Sequence, residues 1–303
     1  MARLIKPPSL SIGDTVSIIA PAASVEADYI KKSVNILESW GLKVKQGNNL
    51  FSKYYQFAGS DEQRLADLQN AIDDEETKAI FCARGGYGIV RIVDNVIWSK
   101  FIENPKWIIG FSDVTILHSA VHNLGIQSLH ACMPINLNEL PITSEAVELL
   151  GQVLFEGKLK YTLKPSQYNQ TGTEKALITG GNLSILHSLF ATKFDVSLAG
   201  KILFIEEVGE QYYKLDRMLQ SFRLSGKLDS LCGIIIGGLS EMEDNKRPFG
   251  KIPEEIIAEI TTDYDFPVVF NFPAGHIKDN LPIILGADTA VEVKSMEVNI
   301  RMD

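Results

Sequence analysis

The chain has 303 residues, 45% of them hydrophobic and 22% charged, which fits a globular protein of one large or two ordinary domains with no membrane-spanning run. A formal net charge of −9 opposes nucleic acid as a partner, since no basic patch interrupts it, and leaves a small molecule as the expected ligand. The three scattered cysteines Cys82, Cys132 and Cys232 suggest neither a disulfide framework nor a Cys-x-x-Cys zinc motif and suit a reducing, cytoplasmic compartment.

Pro7 and Pro8 arrive before any apolar run that could serve as a signal peptide. Thr15 to Ala20 then reads as a short buried strand closed by Pro21-Ala22-Ala23-Ser24, followed by an amphipathic helix over about 28–40 and a strand near 42–45. Ser60 with Gln63 three positions on is a capping-box signature, opening a helix that runs to about Ile72. Residues 78–83 are predicted as a strand, Arg84-Gly85-Gly86-Tyr87-Gly88 as a turn and 89–96 as a helix. The next strand is 107–111 and the next helix 114–124.

Between Pro141 and Gly172 the alternation lapses among prolines and glycines, and the domain junction is placed there. Beyond it the pattern predicts a helix over 183–190, a strand over 201–205 ending at Glu206-Glu207, a helix over 212–223 and a strand over 233–237. A helix over 253–262 and strands over 267–270 and 289–299 complete the chain. The predicted fold class is α/β: an N-terminal, mainly parallel sheet flanked by helices (1–160) and a second α/β domain (161–303), with the active site at their junction.

Ser112 stands where the apolar strand pattern breaks at Gly110 and an amphipathic helix begins. A strand-to-helix turn there holds a hydroxyl out of the sheet as a nucleophile, with the helix's first N–H groups nearby; the competing role is a helix N-cap. An acyl-transfer serine needs a base and a carboxylate to orient it. His276, in a Pro/Gly-rich loop after the 267–270 strand, is the base candidate, whereas His130 and His187 read as core residues. His118 and His122, spaced i to i+4, could face a metal together, but no third ligand is obvious and no metal or cofactor is expected.

Glu206 and Glu207 compete for the carboxylate role, and because adjacent strand residues point to opposite faces only one should reach the site. A backbone donor at Gly85-Gly86, with the N–H of Asp113, supplies an oxyanion hole. The same glycines lack the G-x-G-x-x-G spacing of dinucleotide binding.

Read together and in order, Gly13-Asp14-Thr15-Val16 with Ala20-Pro21-Ala22, Ala83-Arg84-Gly85-Gly86-Tyr87-Gly88, Gly110-Phe111-Ser112-Asp113, Gly180-Gly181-Asn182-Leu183, Glu206-Glu207-Val208-Gly209-Glu210 and Gly275-His276 resemble the murein LD-carboxypeptidase family of serine peptidases, which includes the microcin-immunity peptidases. The resemblance implies a Ser112–Glu206–His276 triad, oxyanion donors at Gly86 and Asp113, and a cytoplasmic murein tetrapeptide as substrate, cut to release terminal D-alanine. It also suggests a homodimer, with no membrane or nucleic-acid partner.

A carboxypeptidase must hold the substrate's free carboxylate, for which Arg84 and Arg217 are the candidates. The rival activities are a microcin-immunity-type amidase acting on an aminoacyl-nucleotide, a non-catalytic small-ligand binding protein and a nicotinamide-linked enzyme. Val114 stands where an esterase elbow has its last glycine, so the α/β-hydrolases are not the analogue.

Overall fold

The computed structural model describes residues 3–303. In the first half, strands β1 (Thr15–Ile19), β2 (Lys43–Gln46), β3 (Thr77–Cys82), β4 (Trp107–Gly110) and β5 (Ser128–His130) are joined through helices α1 (Ala27–Ser39), α2 (Asp61–Asp73), α3 (Ser99–Glu103) and α4 (Thr115–Asn123). Helices α5 (Pro134–Glu139) and α6 (Glu145–Glu156) then lead to β6 (Leu159–Leu163) and β7 (Gly172–Asn182). The remaining elements are α7 (Leu183–Ser188), β8 (Lys201–Val208), α8 (Tyr212–Leu224), β9 (Gly233–Ser240), α9 (Pro253–Thr261), β10 (Val268–Val269), β11 (Ile283–Leu285), β12 (Asp288–Val293) and β13 (Val298–Met302).

The strands form two sheets, ordered β11-β5-β4-β3-β1-β2 and β10-β9-β8-β7-β12-β13-β6. In the first, β1 to β5 run parallel, as expected, and β1 is buried along its whole length because both faces of the sheet are covered. The second is mixed: β7 to β10 are parallel, and β12, β13 and β6 add an antiparallel meander. Strand β11 comes from the end of the chain yet pairs antiparallel with β5, Ile283 opposite His130.

Several boundaries differ from expectation. Residues 89–96 form two short 3₁₀ turns rather than a helix. The β-branched residues Ile89, Val90, Ile92 and Val93 fit a regular helix poorly, and the Asp113 carboxylate captures the Ile89 N–H. The segment taken as a lapse in the alternation holds α6 and β6. Its apolar stripe of Ala146, Val147, Leu150, Val153 and Leu154 is helical in period, and Gly157 ends the helix in a left-handed conformation. The expected strand over 289–299 is a hairpin, β12 and β13, closed where the Lys294 N–H meets the Glu297 carbonyl. The capping box at Ser60 and Gln63 is present with both of its hydrogen bonds.

One apolar cluster joins the two sheets: Val16, Phe81, Ile109 and Leu129 of the first pack in the same core as Phe204, Val291 and Ile300 of the second and Phe272 of the loop after β10. Other cores lie under α2 and α4 and between β8 or β9 and helices α8 and α9. Burial of this kind contributes about 25 cal/mol per Å² of apolar surface and resists separation of the two sheets.

Candidate active site

Ser112 follows β4 at the first residue of a 3₁₀ turn (Ser112–Val114) that feeds directly into α4. Its φ of 63° is left-handed, a conformation that costs a non-glycine residue about 1–2 kcal/mol and that the surroundings must impose. The N-cap positions of the 3₁₀ turn and of α4 are Phe111 and Val114, so Ser112 is not a helix N-cap. His118, one turn into α4, braces the strand end instead: its ring lies 2.9 Å from the Gly110 carbonyl through Nε2 and 2.8 Å from Ser128 Oγ through Nδ1.

The turn after β3 closes over the serine. A Cβ built on Gly85 would lie 2.8 Å from Ser112 Cβ and 2.9 Å from Ser112 Oγ, so only glycine lets this backbone approach the hydroxyl so closely. Gly86 beside it is exposed, with a φ of 103°. Asp113 lies on the other side, buried, with Oδ2 accepting the Ile89 N–H at 2.8 Å and Oδ1 unpartnered. Burial pushes its carboxyl up to about 6, against the hydrogen bonds from Ile89 and Gly88. Asp113 thus ties the Ser112 turn to the glycine turn through its side chain.

Glu206 is wholly buried on β8, and its Oε2 lies 2.7 Å from His276 Nδ1 and accepts the His276 backbone N–H at 3.2 Å. Glu206 Oε1 has no protein partner. Burial lowers the imidazole's proton affinity, but the hydrogen bond and charge of Glu206, with further charge from Glu207 and Glu241, outweigh it and raise the pKa above the ordinary value. Glu207 points the other way, accepting from Asn182 Nδ2 at 3.0 Å, Ser184 N–H at 2.7 Å and Val208 N–H at 2.9 Å. The alternation of strand side chains, both glutamates lying within β8, thereby separates the pair.

Tethers hold the His276 loop against Phe111, the residue before Ser112. Ser240 Oγ donates to the His276 carbonyl at 2.6 Å, Gly275 N–H donates to Asn280 Oδ1 at 2.7 Å, and Tyr161 OH donates to the Pro282 carbonyl at 2.6 Å. From there β11 joins the first sheet beside β5, and the imidazole packs edge to face on Phe111, 4.9 Å between ring centroids. Phe111 is the residue before Ser112. Among the described residues no hydrogen bond joins Ser112 Oγ to the His276 ring. A second inter-sheet tether, Asn182 N–H to Thr115 Oγ1 at 3.1 Å, holds β7 against the start of α4.

The remaining sequence candidates are placed as follows. Arg84 is exposed one residue before Gly85, its Nη1 donating to the Ser24 carbonyl at 3.2 Å. Arg217 is exposed on α8 with its guanidinium 5.4 Å from the centre of the Tyr213 ring. His118 and His122 are both buried in α4, and His118 has both ring nitrogens in hydrogen bonds, so the pair does not present two free ligand atoms. His130 is wholly buried, whereas His187 is half-buried beside Phe190. Sequence reasoning missed the supporting roles of His118, Phe111, Ser240 and Asn280, whose partners lie on other elements or across a turn. Only the adjacency of Phe111 to Ser112 offered a signal.

A buried carboxylate paired with an imidazole that packs on the residue before a serine in a strand-to-helix turn is an arrangement a serine hydrolase can use, here carried on two α/β sheets. The sequence comparisons make the class specific: residues 16–131 match the LD-carboxypeptidase N-terminal domain and residues 175–291 the LD-carboxypeptidase C-terminal domain. The chain belongs to the LD-carboxypeptidase family and is a serine carboxypeptidase.

It is 34% identical over 293 residues, 94% of this chain and 91% of the relative, to a Bacillus subtilis protein described as "Probable murein peptide carboxypeptidase". It is 31% identical to the murein tetrapeptide carboxypeptidase of Pseudomonas aeruginosa, over 89% of this chain and 90% of the relative. The muramoyltetrapeptide carboxypeptidase of Oxalobacter formigenes shares the fold with a TM-score of 0.86 at 23% identity, covering 95% of this chain and 98% of that one. The microcin C7 self-immunity protein MccF, solved with aspartyl sulfamoyl adenosine, matches with a TM-score of 0.87 at 20% identity over 97% and 98% of the two chains.

Proposed function

We propose that this chain hydrolyses the L,D-peptide bond of murein tetrapeptide and releases terminal D-alanine, with Ser112, His276 and Glu206 as its catalytic triad. The observation that carries the assignment is the 2.7 Å contact between the buried Glu206 carboxylate and His276 Nδ1, with that ring packed on the residue preceding Ser112. Glu206 keeps the proton on Nδ1 and leaves Nε2 free to take the Ser112 proton as Oγ attacks the peptide carbonyl. His276 then protonates the leaving D-alanine amine, and a water activated by the same imidazole hydrolyses the acyl-enzyme.

The N–H groups of Gly86 and Asp113 hold the oxyanion, a contribution worth roughly 100- to 1000-fold in rate per donor. Nucleophile and oxyanion turn are assigned to a unit of about 1–160, and carboxylate and imidazole to one of about 161–303 from which β11 crosses back to the first sheet. The substrate's terminal carboxylate is assigned to Arg84, beside the glycine turn, or to Arg217 on α8. No helix among the described residues is long and apolar enough to cross a membrane, and the reaction is assigned to the cytoplasm, where murein fragments are recycled.

Mass spectrometry of murein tri-, tetra- and pentapeptides incubated with the protein tests the activity. Loss of one alanine from the tetrapeptide alone supports it, and an unchanged tetrapeptide overturns it.

A further inference from the structure

Four exposed aromatic side chains, Phe51, Tyr54, Tyr55 and Tyr87, and the half-buried Phe57 belong to the glycine turn and the loop after β2. Tyr87, next to Gly86, is 47% exposed, and its ring centre is 6.0 Å from that of Phe57. Beyond Phe57 come Tyr54, 56% exposed, and Tyr55, 82% exposed, with ring centres 4.9 Å apart; Phe51 is 44% exposed. A run of large apolar faces in water is unfavourable unless something covers it.

The ledge is also rigid. Phe57 is stacked by the guanidinium groups of Arg64 and Arg91, at 5.0 and 5.6 Å from its centre. Tyr54 and Phe57 exchange two backbone hydrogen bonds across a tight turn, at 2.9 and 3.0 Å, with Tyr55 at its tip in a left-handed conformation (φ 54°). A bulky residue adopts that φ rarely, so the turn presents the Tyr55 ring at a conformational cost. The loop is continuous with the candidate active site: Ser24 N–H donates to the Gln56 carbonyl and Ala23 N–H to the Gly85 carbonyl, and Gly85 abuts Ser112. Buried Arg64 pins both sides, donating to the Pro21 and Gly88 carbonyls at 2.7 and 2.9 Å.

We infer that the ledge formed by Tyr87, Phe57, Tyr54 and Tyr55 is a subsite for the N-acetylated amino sugar at the head of a murein peptide. The inference rests on the reading of the chain as a murein carboxypeptidase. Reach supports it: from Ser112 to the Tyr54–Tyr55 tip the path crosses Gly85, Ala23 and Phe57, four steps of about 5 Å, so the tip lies within roughly 20 Å. Three extended residues upstream of the scissile bond span about 10 Å, which leaves the lactyl group and pyranose ring to cover the remainder.

Chemistry supports it as well. The murein peptide itself carries carboxylates and amines, which gain little from flat apolar faces, whereas the C–H face of a pyranose is uncharged and suits the electron-rich face of a phenol ring. A purine could stack on the same rings, and the test separates the two.

The test compares free murein tetrapeptide with the same peptide on N-acetylmuramic acid, using the wild type, Tyr54→Ala, Tyr55→Asn and Tyr55→Phe. Asn is chosen because it tolerates the left-handed conformation. We expect Tyr54→Ala and Tyr55→Asn to raise KM for the sugar-linked peptide about tenfold, a stacking-sized loss, with cleavage of the free tetrapeptide within twofold of wild type and Tyr55→Phe unaffected. Equal effects on both substrates, or none on either, overturn the subsite.

Calorimetric titration with N-acetylmuramyl-dipeptide and with adenosine monophosphate decides the question even if neither tetrapeptide is cleaved. Binding of the muramyl ligand that both variants weaken supports the subsite. Binding of the nucleotide alone, or of neither ligand, overturns it.

Discussion

Glu206 Oε2 receives two groups of one residue, the Nδ1 and the backbone N–H of His276, at 2.7 and 3.2 Å. One carboxylate oxygen therefore sets both the tautomer of the ring and the position of the loop that carries it. Gly275, just before, is part of the same fit, since a Cβ there would fall 2.7 Å from that oxygen. Glu206→Gln is expected to lower kcat by roughly 1000- to 10,000-fold through loss of the orienting charge. Glu207→Gln should keep most of the activity and lose about 1–2 kcal/mol of stability, because it weakens the hydrogen bonds at Ser184, Val208 and Asn182. Steady-state kinetics and denaturant titration of the two variants separate these outcomes.

Ser112→Ala should remove activity by at least about 10,000-fold while leaving the melting temperature close to wild type, since members of a triad act as one unit and Ser112 is the N-cap of neither the 3₁₀ turn nor α4. Full turnover by this variant rejects Ser112 as nucleophile.

Gly85→Ala should be nearly as damaging as loss of the serine, though no reacting group is removed. The new methyl would meet Ser112 Oγ at 2.9 Å, so either the hydroxyl turns away or the glycine turn retreats from its proposed oxyanion position, and we expect kcat to fall about 100-fold or more. A kcat within a factor of three of wild type contradicts the close approach of the two turns.

The pH dependence follows from two raised pKa values. His276 must be neutral to act as base, so kcat/KM should fall as pH drops through a value above the ordinary 6.5. The stability linkage of the Glu206–His276 pair has the opposite direction: its contribution is fully present below the unfolded imidazole pKa and is lost as pH rises through the folded one. Melting temperatures of wild type and His276→Ala should therefore diverge most at low pH.

Asp113 behaves similarly, because its carboxyl, raised to about 6, favours the neutral form. Asp113→Asn keeps an acceptor for the Ile89 N–H and should be more stable than wild type at pH 8 by an amount on the order of 2 kcal/mol, a gain that shrinks as pH falls through 6. A stability difference that does not change between pH 5 and 8 rules this out.

The two arginines should differ in kinetics. Arg84→Ala is expected to raise KM about tenfold for a substrate with a free terminal carboxylate, the order of a charge-assisted hydrogen bond. Arg217→Ala, on the Tyr213 side of α8, should change it little. The reverse result reassigns the carboxylate contact to Arg217.

Local sequence determined much of this protein. The periods of β1, α1, β3, β4 and α4, the capping box at Ser60 and the break at Gly110-Phe111-Ser112 are short-range patterns, since each depends on residues a few positions apart. Alternation along β8 also established that Glu206 and Glu207 could not share a face. Which of the two faces His276 depended on the packing of β8 between β7 and β9.

Only the tertiary structure decided how His276 comes against Phe111, the residue before Ser112, because that proximity depends on β11 crossing to the edge of the first sheet, and a three-residue strand carries too few residues to show a period. The same holds for α6, whose apolar stripe was obscured by Gly151 and Gly157, and for the turns at 89–96, where the Asp113 carboxylate from a distant turn outweighs local helical spacing. Contacts between residues far apart in the chain leave no local signal, and here they set the geometry of the site.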